Sequence, residues 1–526
     1  MAKSDQQIRS TGVSLRLGNS EFLLAAILFL ILGVLVAFIS YFLIYGQISL
    51  RDYYLLPYAL LLLIVTSLPA LYLMKKRRFS FFHPLVYASW SYFIPAFVFG
   101  SLYIVFGSKQ PYYAQFIVNP ERTLPLTLIY LALGFLGLIL GYSLKPAARF
   151  GNKIAKLIPD RPLDNVRLLI FAIFLVFLGG FFSITAFSAG AIGYQYLQDA
   201  TLLGATISFL AAVGSVGSFW IWHIYFGKRN RRFVHKLAMV LSIVFIIFLI
   251  LLEGNRATLL RSVIAIAFAF HLSGRRIRIQ HSLLFVVLLM FALLVGMIYG
   301  TTFREIKGDE QRAELSEYFA DAKTTVDVVS SRGIGENFTF ALDNLFRRLE
   351  NVNSLAVIVS HYKQFRSIEA SYGLDNNIWR YTWTAVIPRI IWPDKPSVSG
   401  ARDLGELYFD YGGSSPTITP IGDLLRNFGP WSIPFGMMLL GAVLRIIRSV
   451  IEDGKKITPC RAVLYYMLLT AISYEGFYGT IFPIVIRTAI VVFAAAYFAT
   501  LFSARKTKLG FRYSRQPVMQ SSKSPL

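Results

Sequence analysis

The sequence predicts an all-α protein: a polytopic membrane helical bundle of about twelve transmembrane helices with one large, mainly helical outer loop. Three observations predict it. Of 526 residues, 56% are hydrophobic and only 15% charged, with a mean hydropathy of +0.57, a balance outside that of soluble domains. Apolar runs of about 18–25 residues recur roughly every 30, and helices of that length match the hydrocarbon core. The segments between them alternate between rich and poor in Lys and Arg. Period-2 alternation is absent from the runs, which excludes an outer-membrane barrel.

Twelve spans are expected, near 21–45, 53–74, 84–107, 124–144, 167–189, 203–226, 237–252, 257–273, 281–300, 431–449, 463–475 and 482–503. They define an N-terminal bundle over 1–300 with about nine helices, a large loop over 301–428, C-terminal helices over 429–503 and a basic tail over 504–526. One set of connections, with both termini, carries 32 Lys and Arg; the short loops of the other set carry four, Arg51, Lys109, Arg122 and Arg256. By the positive-inside rule both termini are expected in the cytoplasm and the large loop outside. The formal charge of +24 is then topology and contact with anionic membrane lipids, and no nucleic acid is expected as a partner. Residues 1–21 are polar and the first apolar run is long enough to stay as a span, so no cleaved signal is expected. The lone Cys460 implies neither disulfide nor metal site, and the absence of a Walker loop argues against ATP-driven transport.

The loop over 301–428 holds 17 of the 28 acidic residues and 14 of the 52 basic ones, so it is nearly neutral and suited to water. Loops that long are uncommon unless functional or disordered, and this one is too aromatic for disorder. From Asn337 to His361, Phe338, Leu342, Leu345, Phe346, Leu349, Val352 and Leu355 recur at helical spacing, predicting one helix that lies on the membrane surface or caps the bundle. TWTAVIPRIIW has too few apolar residues to span and is a candidate re-entrant segment. PRIIWPDKPSVSG follows, with Pro388, Pro393 and Pro396 stiffening an extended stretch that would hold Arg389, Trp392 and Lys395 over the mouth of the bundle. A proline-stiffened connector between a surface helix and the next span is the alternative reading.

Arginine recurs on the outer side. Arg256 sits at the outer mouth in LLEGNRATLLR with Arg261 a turn further in, Arg304 follows the ninth span, and Arg487 lies inside the last. A cation inside a bilayer costs about 2.5–3.5 kcal/mol, so it is usually paired or functional. Arg256, Arg304, Arg389, Arg426 and Arg487 together would line an outward cavity, and guanidinium is the planar fork that suits a diphosphate. Salt bridges to the loop's own acids are the competing expectation. No compact acidic cluster resembles a metal site, so no metal is expected.

EGNRATLL between two central spans, PRIIWPDKP in the large loop, TPIGDLLRNFG before a span and YEGFYGT leading to Arg487 carry a resemblance of pattern over about residues 160–503. The chain resembles the bacterial oligosaccharide repeat-unit polymerases, the Wzy-type O-antigen and exopolysaccharide polymerases. That resemblance implies a GT-C-like membrane glycosyltransferase using undecaprenyl-diphosphate-linked oligosaccharides as donor and acceptor, with a chain-length regulator and a flippase as partners. Arg389 to Gly400 and Arg402 to Gly413 both fit the family's Arg-x10-Gly pattern. A sugar diphosphate brings its own leaving group, so no cofactor is needed. Arginines, Arg389 first, would offset the developing charge, and a carboxylate or imidazole would take the acceptor's proton. Asp423 and Glu475 rank first as base because each is close to a membrane edge, ahead of Asp394, Asp410, Glu253 and His361. Trp392 and Tyr411 would stack on sugars, and Thr417 and Arg426 would sit before the next span. An O-antigen ligase, a lipid-linked-oligosaccharide flippase and a secondary transporter are the other readings. His361 is the only histidine in the loop for a ligase, the large loop argues against a flippase, and no internal repeat supports a transporter.

Overall fold

The computed structural model describes residues 53–106, 112–159, 163–192, 202–228, 230, 232–253, 256–275, 279–308, 315–384, 387, 392, 401–410, 417–452 and 457–503. Among them the regular elements are helices, with no strand, and nine helices are long and apolar enough to cross a membrane. The expected span at 21–45 and the tail from 504 lie outside the described residues.

The first four crossing helices are α1 (Leu56–Lys75), α2 (Pro84–Phe106), α3 (Pro120–Tyr142) and, after the amphipathic α4 (Lys145–Ala155), α5 (Asn165–Ser188). Helices α6 (Leu202–Leu210) and α7 (Ala212–Gly227) form one crossing over Ile207–Gly227; α8 (Phe233–Glu253), α9 (Arg256–Leu272) and α10 (Ile279–Lys307) complete the N-terminal part. The end where α1 and α3 finish carries Lys75, Lys76, Arg77, Arg78, Arg445 and Arg448 and is called the basic end here; the other is the loop end.

Three expectations about the spans are corrected. The ninth does not stop at 300 but runs to Lys307, because Thr301, Thr302 and Phe303 continue the helix and Phe303 is buried. The one expected at 463–475 is a 12-residue helix, α19 (Pro459–Thr470), about 18 Å long at 1.5 Å per residue and too short to cross. Residues 471–477 are not helical, and the chain resumes as α20 (Tyr478–Ser503). Third, the span expected at 257–273 is α9, an apolar helix of 17 residues that is not among the nine; within α2, Ser89–Phe99 is wound as a π-helix around Pro95, whose missing N–H already breaks the regular ladder.

The large loop folds as α11 (Leu315–Ser331), α12 (Ile334–Leu349), α13 (Val352–His361), α14 (Arg366–Ser371), α15 (Asn377–Thr384), α16 (Ala401–Phe409) and α17 (Thr419–Phe428), followed by α18 (Ser432–Glu452). The single helix expected over Asn337–His361, lying on the membrane surface or capping the bundle, is instead two, broken at Glu350 and Asn351. The break sits deep: the Asn351 N–H donates to Ala96 O at 3.3 Å, and a Cβ at Gly100 would lie 3.4 Å from Glu350 Cα, midway along α2. Residues Val352 to Val359 are all buried. The hairpin α12–α13 therefore re-enters the bundle and does not lie across it. The expected re-entrant stretch lies mostly outside the described residues, and its TWT start closes α15, which packs Ile378 against Gly479 at the start of α20.

The firmest seam joins α3 to α18. Side by side and parallel, Gly137 meets Pro434 O, Gly141 meets Met438 O, and Gly441 returns the contact to Leu138 O, each too close for any Cβ. Small residues at this spacing let two backbones touch, which is how apolar helices gain packing in lipid. Helix α17 is laid into the same seam, with Ile421 against Gly134.

Candidate functional site at the loop end

Helix α17 has the sequence TPIGDLLRNF. Proline fits its first turn, and Gly429 closes it at φ 81°, a left-handed conformation that favours glycine. Three residues put Asp423 and Arg426 on one face. That face is inside: Asp423 and Arg426 side chains are 0% exposed and Glu369 of α14 2%.

The three form one network. Asp423 Oδ1 accepts from Arg426 Nε at 3.0 Å and Nη2 at 2.8 Å, and from Asn427 Nδ2 at 3.2 Å. Asp423 Oδ2 accepts from the backbone N–H of Gly479 at 3.2 Å. Arg426 Nη1 donates to Glu369 Oε2 at 3.3 Å and to Leu374 O at 3.1 Å, and its guanidinium carbon stands 5.9 Å from the Phe477 ring. Tyr408 OH donates to Glu369 Oε1 at 2.8 Å. Burial pushes the Asp423 and Glu369 carboxyls up from their ordinary range, and the Arg426 guanidinium pulls against that shift. For Arg426 burial lowers, Asp423 and Glu369 raise, and the balance is upward, so the cation is secure. In this conformation neither Asp423 nor Arg426 is open to a ligand. The network ties α14, α16 and α17 to the first turn of α20.

Four residues before Gly479 stands Glu475, in the non-helical stretch 471–477. It is exposed, and Thr417 Oγ1 approaches its Oε1 at 3.5 Å, a long bond. Its neighbour Tyr474 is buried, stacked on Tyr92 of the π-helical segment at 6.2 Å and edge-on to Phe93 at 5.5 Å. An exposed carboxylate is thus carried on a backbone held from both sides, by Tyr474 and by the Asp423–Gly479 bond. The two carboxylates the sequence ranks together differ sharply: Asp423 is enclosed and fully partnered, Glu475 open.

The other expected residues divide. Trp392 stacks on Trp383 with ring centroids 5.7 Å apart. Arg304 is exposed in the last turn of α10, and Arg487 is half-buried nine residues into α20. Arg256 is the first residue of α9, its side chain outside what is described; Arg389, Lys395 and Tyr411 lie outside the described residues altogether. Arg261 is exposed although it shares a face of α9 with buried Ile264 and Phe268, and its charge reaches Tyr87 and Tyr466. Glu253 accepts a short hydrogen bond from Thr258. Among the described residues no group of three His, Cys, Asp or Glu side chains is arranged to hold a metal ion.

Sequence reasoning missed Glu369 and Glu350. Glu369 stands in SIEASYG, which reads as an exposed turn of helix, and its partner Arg426 is 57 residues away. Nothing local marks it.

No family model, curated protein or solved structure matches the chain. Fold and hydropathy define its class: a multi-pass helical membrane protein whose large loop is folded into one end of the bundle.

Proposed function

We propose that the chain is a membrane glycosyltransferase that polymerises undecaprenyl-diphosphate-linked oligosaccharide units into O-antigen or a related surface polysaccharide at the loop end. The observation that carries the reading is Glu475: an exposed carboxylate on a rigidly held break between α19 and α20, paired with Thr417 and set beside the network through Gly479. Glu475 acts as the general base. The acceptor hydroxyl oxygen attacks the anomeric carbon, its proton goes to Glu475, and the bond from that carbon to the diphosphate oxygen breaks, so polyprenyl diphosphate leaves. The arginines expected on the outer side, Arg256, Arg304, Arg389 and Arg487, offset the charge on the leaving diphosphate. Asp423 and Arg426 are positioning residues that hold the α20 terminus. Stacked Trp383 and Trp392, at the approach to the proline-rich stretch, offer an aromatic face for sugars. A chain-length regulator and a flippase would work beside it.

A second reading, an O-antigen ligase, rests on His361. Its Nε2–H donates to Phe116 O at 2.9 Å, its ring stacks on Phe365, and it lines an open cavity of about 400 Å³ with Glu406 and Asp410. Reconstituting the purified protein with a lipid-linked repeat unit alone separates the readings. A product ladder spaced by one repeat, without nucleotide sugar or added metal, is expected. Capping of an added lipid A-core acceptor with no ladder would give the case to the ligase, and neither product would overturn both.

A further inference from the structure

At the opposite end an apolar slot opens between three helices. Its cavity, about 240 Å³, is walled by Phe81 and Trp90 on and before α2, Val263, Ala267 and Phe270 on α9, and Phe285 on α10. Phe226, at the end of α7, also lines it. The α10 wall includes Leu284 and Leu288, which are 57% and 42% exposed on the outside of the bundle. The slot thus faces the hydrocarbon that surrounds these helices.

Every wall but α10 leaves the slot through described cations. Lys75, Lys76, Arg77 and Arg78, all exposed, precede Phe81; Lys228 follows Phe226; Arg275 follows Phe270. Arg275 bonds back to Phe226 O and, at 2.8 Å, to Lys228 O, which ties two of these exits together. No acid occurs in residues 75–90, 223–228 or 263–275. A dry slot with a cationic rim, opening sideways at the end of a span, fits one occupant: one acyl chain in the slot, a phosphate on the rim.

We propose that this slot is a binding site for an anionic glycerophospholipid of the leaflet at the basic end. The acyl chain replaces solvent or void against the Phe and Val walls, and the phosphate meets the cations of residues 75–78. The site is independent of the sugar chemistry: none of the residues that line it belongs to the Asp423 network or to the break that carries Glu475. Its occupancy pins the basic-end half of α10 to α2, while the other half packs against α11 and α12.

Trp90 reports it. The full chain is reconstituted in phosphatidylcholine vesicles containing brominated phosphatidylglycerol or brominated phosphatidylcholine, and tryptophan quenching is compared with that of Trp90→Phe to isolate the Trp90 signal. Brominated phosphatidylglycerol is expected to quench Trp90 at a mole fraction about fivefold lower than brominated phosphatidylcholine for each rim cation engaged. Arg77→Gln with Arg78→Gln, both exposed and without an ion pair among the described residues, is expected to cut that preference by about fivefold for each arginine engaged while leaving the phosphatidylcholine curve in place. Ala267→Phe, which fills the slot, is expected to remove Trp90 quenching by either lipid. Equal curves for the two lipids in the unaltered chain, no quenching of Trp90 by either, or a preference unchanged by loss of both arginines would each overturn the proposal.

Discussion

The two ends of the bundle use charge in opposite ways. At the basic end Arg445 and Arg448 reach Glu452 at 2.7 and 3.0 Å, with all three side chains 21–35% exposed, and the ion pairs tie one helix terminus to itself. At the loop end Arg426 is sealed between Asp423 and Glu369, its pairs join α17 to α14, and Asp423 bonds on to the Gly479 N–H of the crossing α20. Half-exposed pairs are worth little, whereas a buried charge stripped of its partner is costly. The ion pairs of the loop end are therefore enclosed and those of the basic end partly exposed, while the buried cation of the basic end, Arg461, is held by carbonyls, donating to Val450 O at 3.1 Å and Ala155 O at 3.4 Å.

The sharpest way to break that comparison is Arg426→Met. It leaves Asp423 and Glu369 buried without a cation, and a loss of about 3–5 kcal/mol is expected, read as a large fall in thermal stability in detergent together with loss of product. Next is Glu475→Gln, expected to lower polymerisation by about 10²–10⁴-fold with unchanged thermal stability; a normal ladder would remove Glu475 as base.

Glu350 gives a smaller, pH-dependent effect. Burial pushes its carboxyl up to about 7, only partly offset by the Asn353 N–H at 2.7 Å, and no ion pair reaches it among the described residues. Because the folded value lies above the unfolded one, the fold holds this proton more tightly. Its stabilising contribution is full below the ordinary glutamate range and is lost as pH rises toward 7. Thermal stability should fall over that window by the equivalent of roughly 3 kcal/mol at most, and Glu350→Gln should flatten the slope and be the more stable protein at pH 8. The smallest effect belongs to the basic end: Glu452→Gln should change stability by less than about 1 kcal/mol. A loss as large as that of Arg426→Met would abolish the contrast between the ends.

Most crossing helices were legible because a long apolar run at helical rise has one solution in lipid. The exceptions share a cause. Helix α19 looked like a span because its run continues through Ala471 and Ile472, yet Tyr474 turns inward to stack on Tyr92 and the helix ends first. The break at Glu350–Asn351 was hidden because Leu349, Val352 and Leu355 keep the helical period on both sides of it. At the site, the i,i+3 spacing of Asp423 and Arg426 was readable, but which way that face points is decided by α14 and α20, distant in sequence. Periodicity reports which residues share a face, not what the face meets.

The glycine seam of α3 and α18 has one more consequence. Two backbones in direct contact leave no slack for sliding or rotation, so this pair is a doorpost: it can bear load but cannot move aside. By contrast, the windows of α8 and α10 are only 22% and 28% enclosed by protein. Among the described crossing helices those two would offer a long-tailed substrate of the proposed reaction the most open sideways approach, while the post keeps the frame in register.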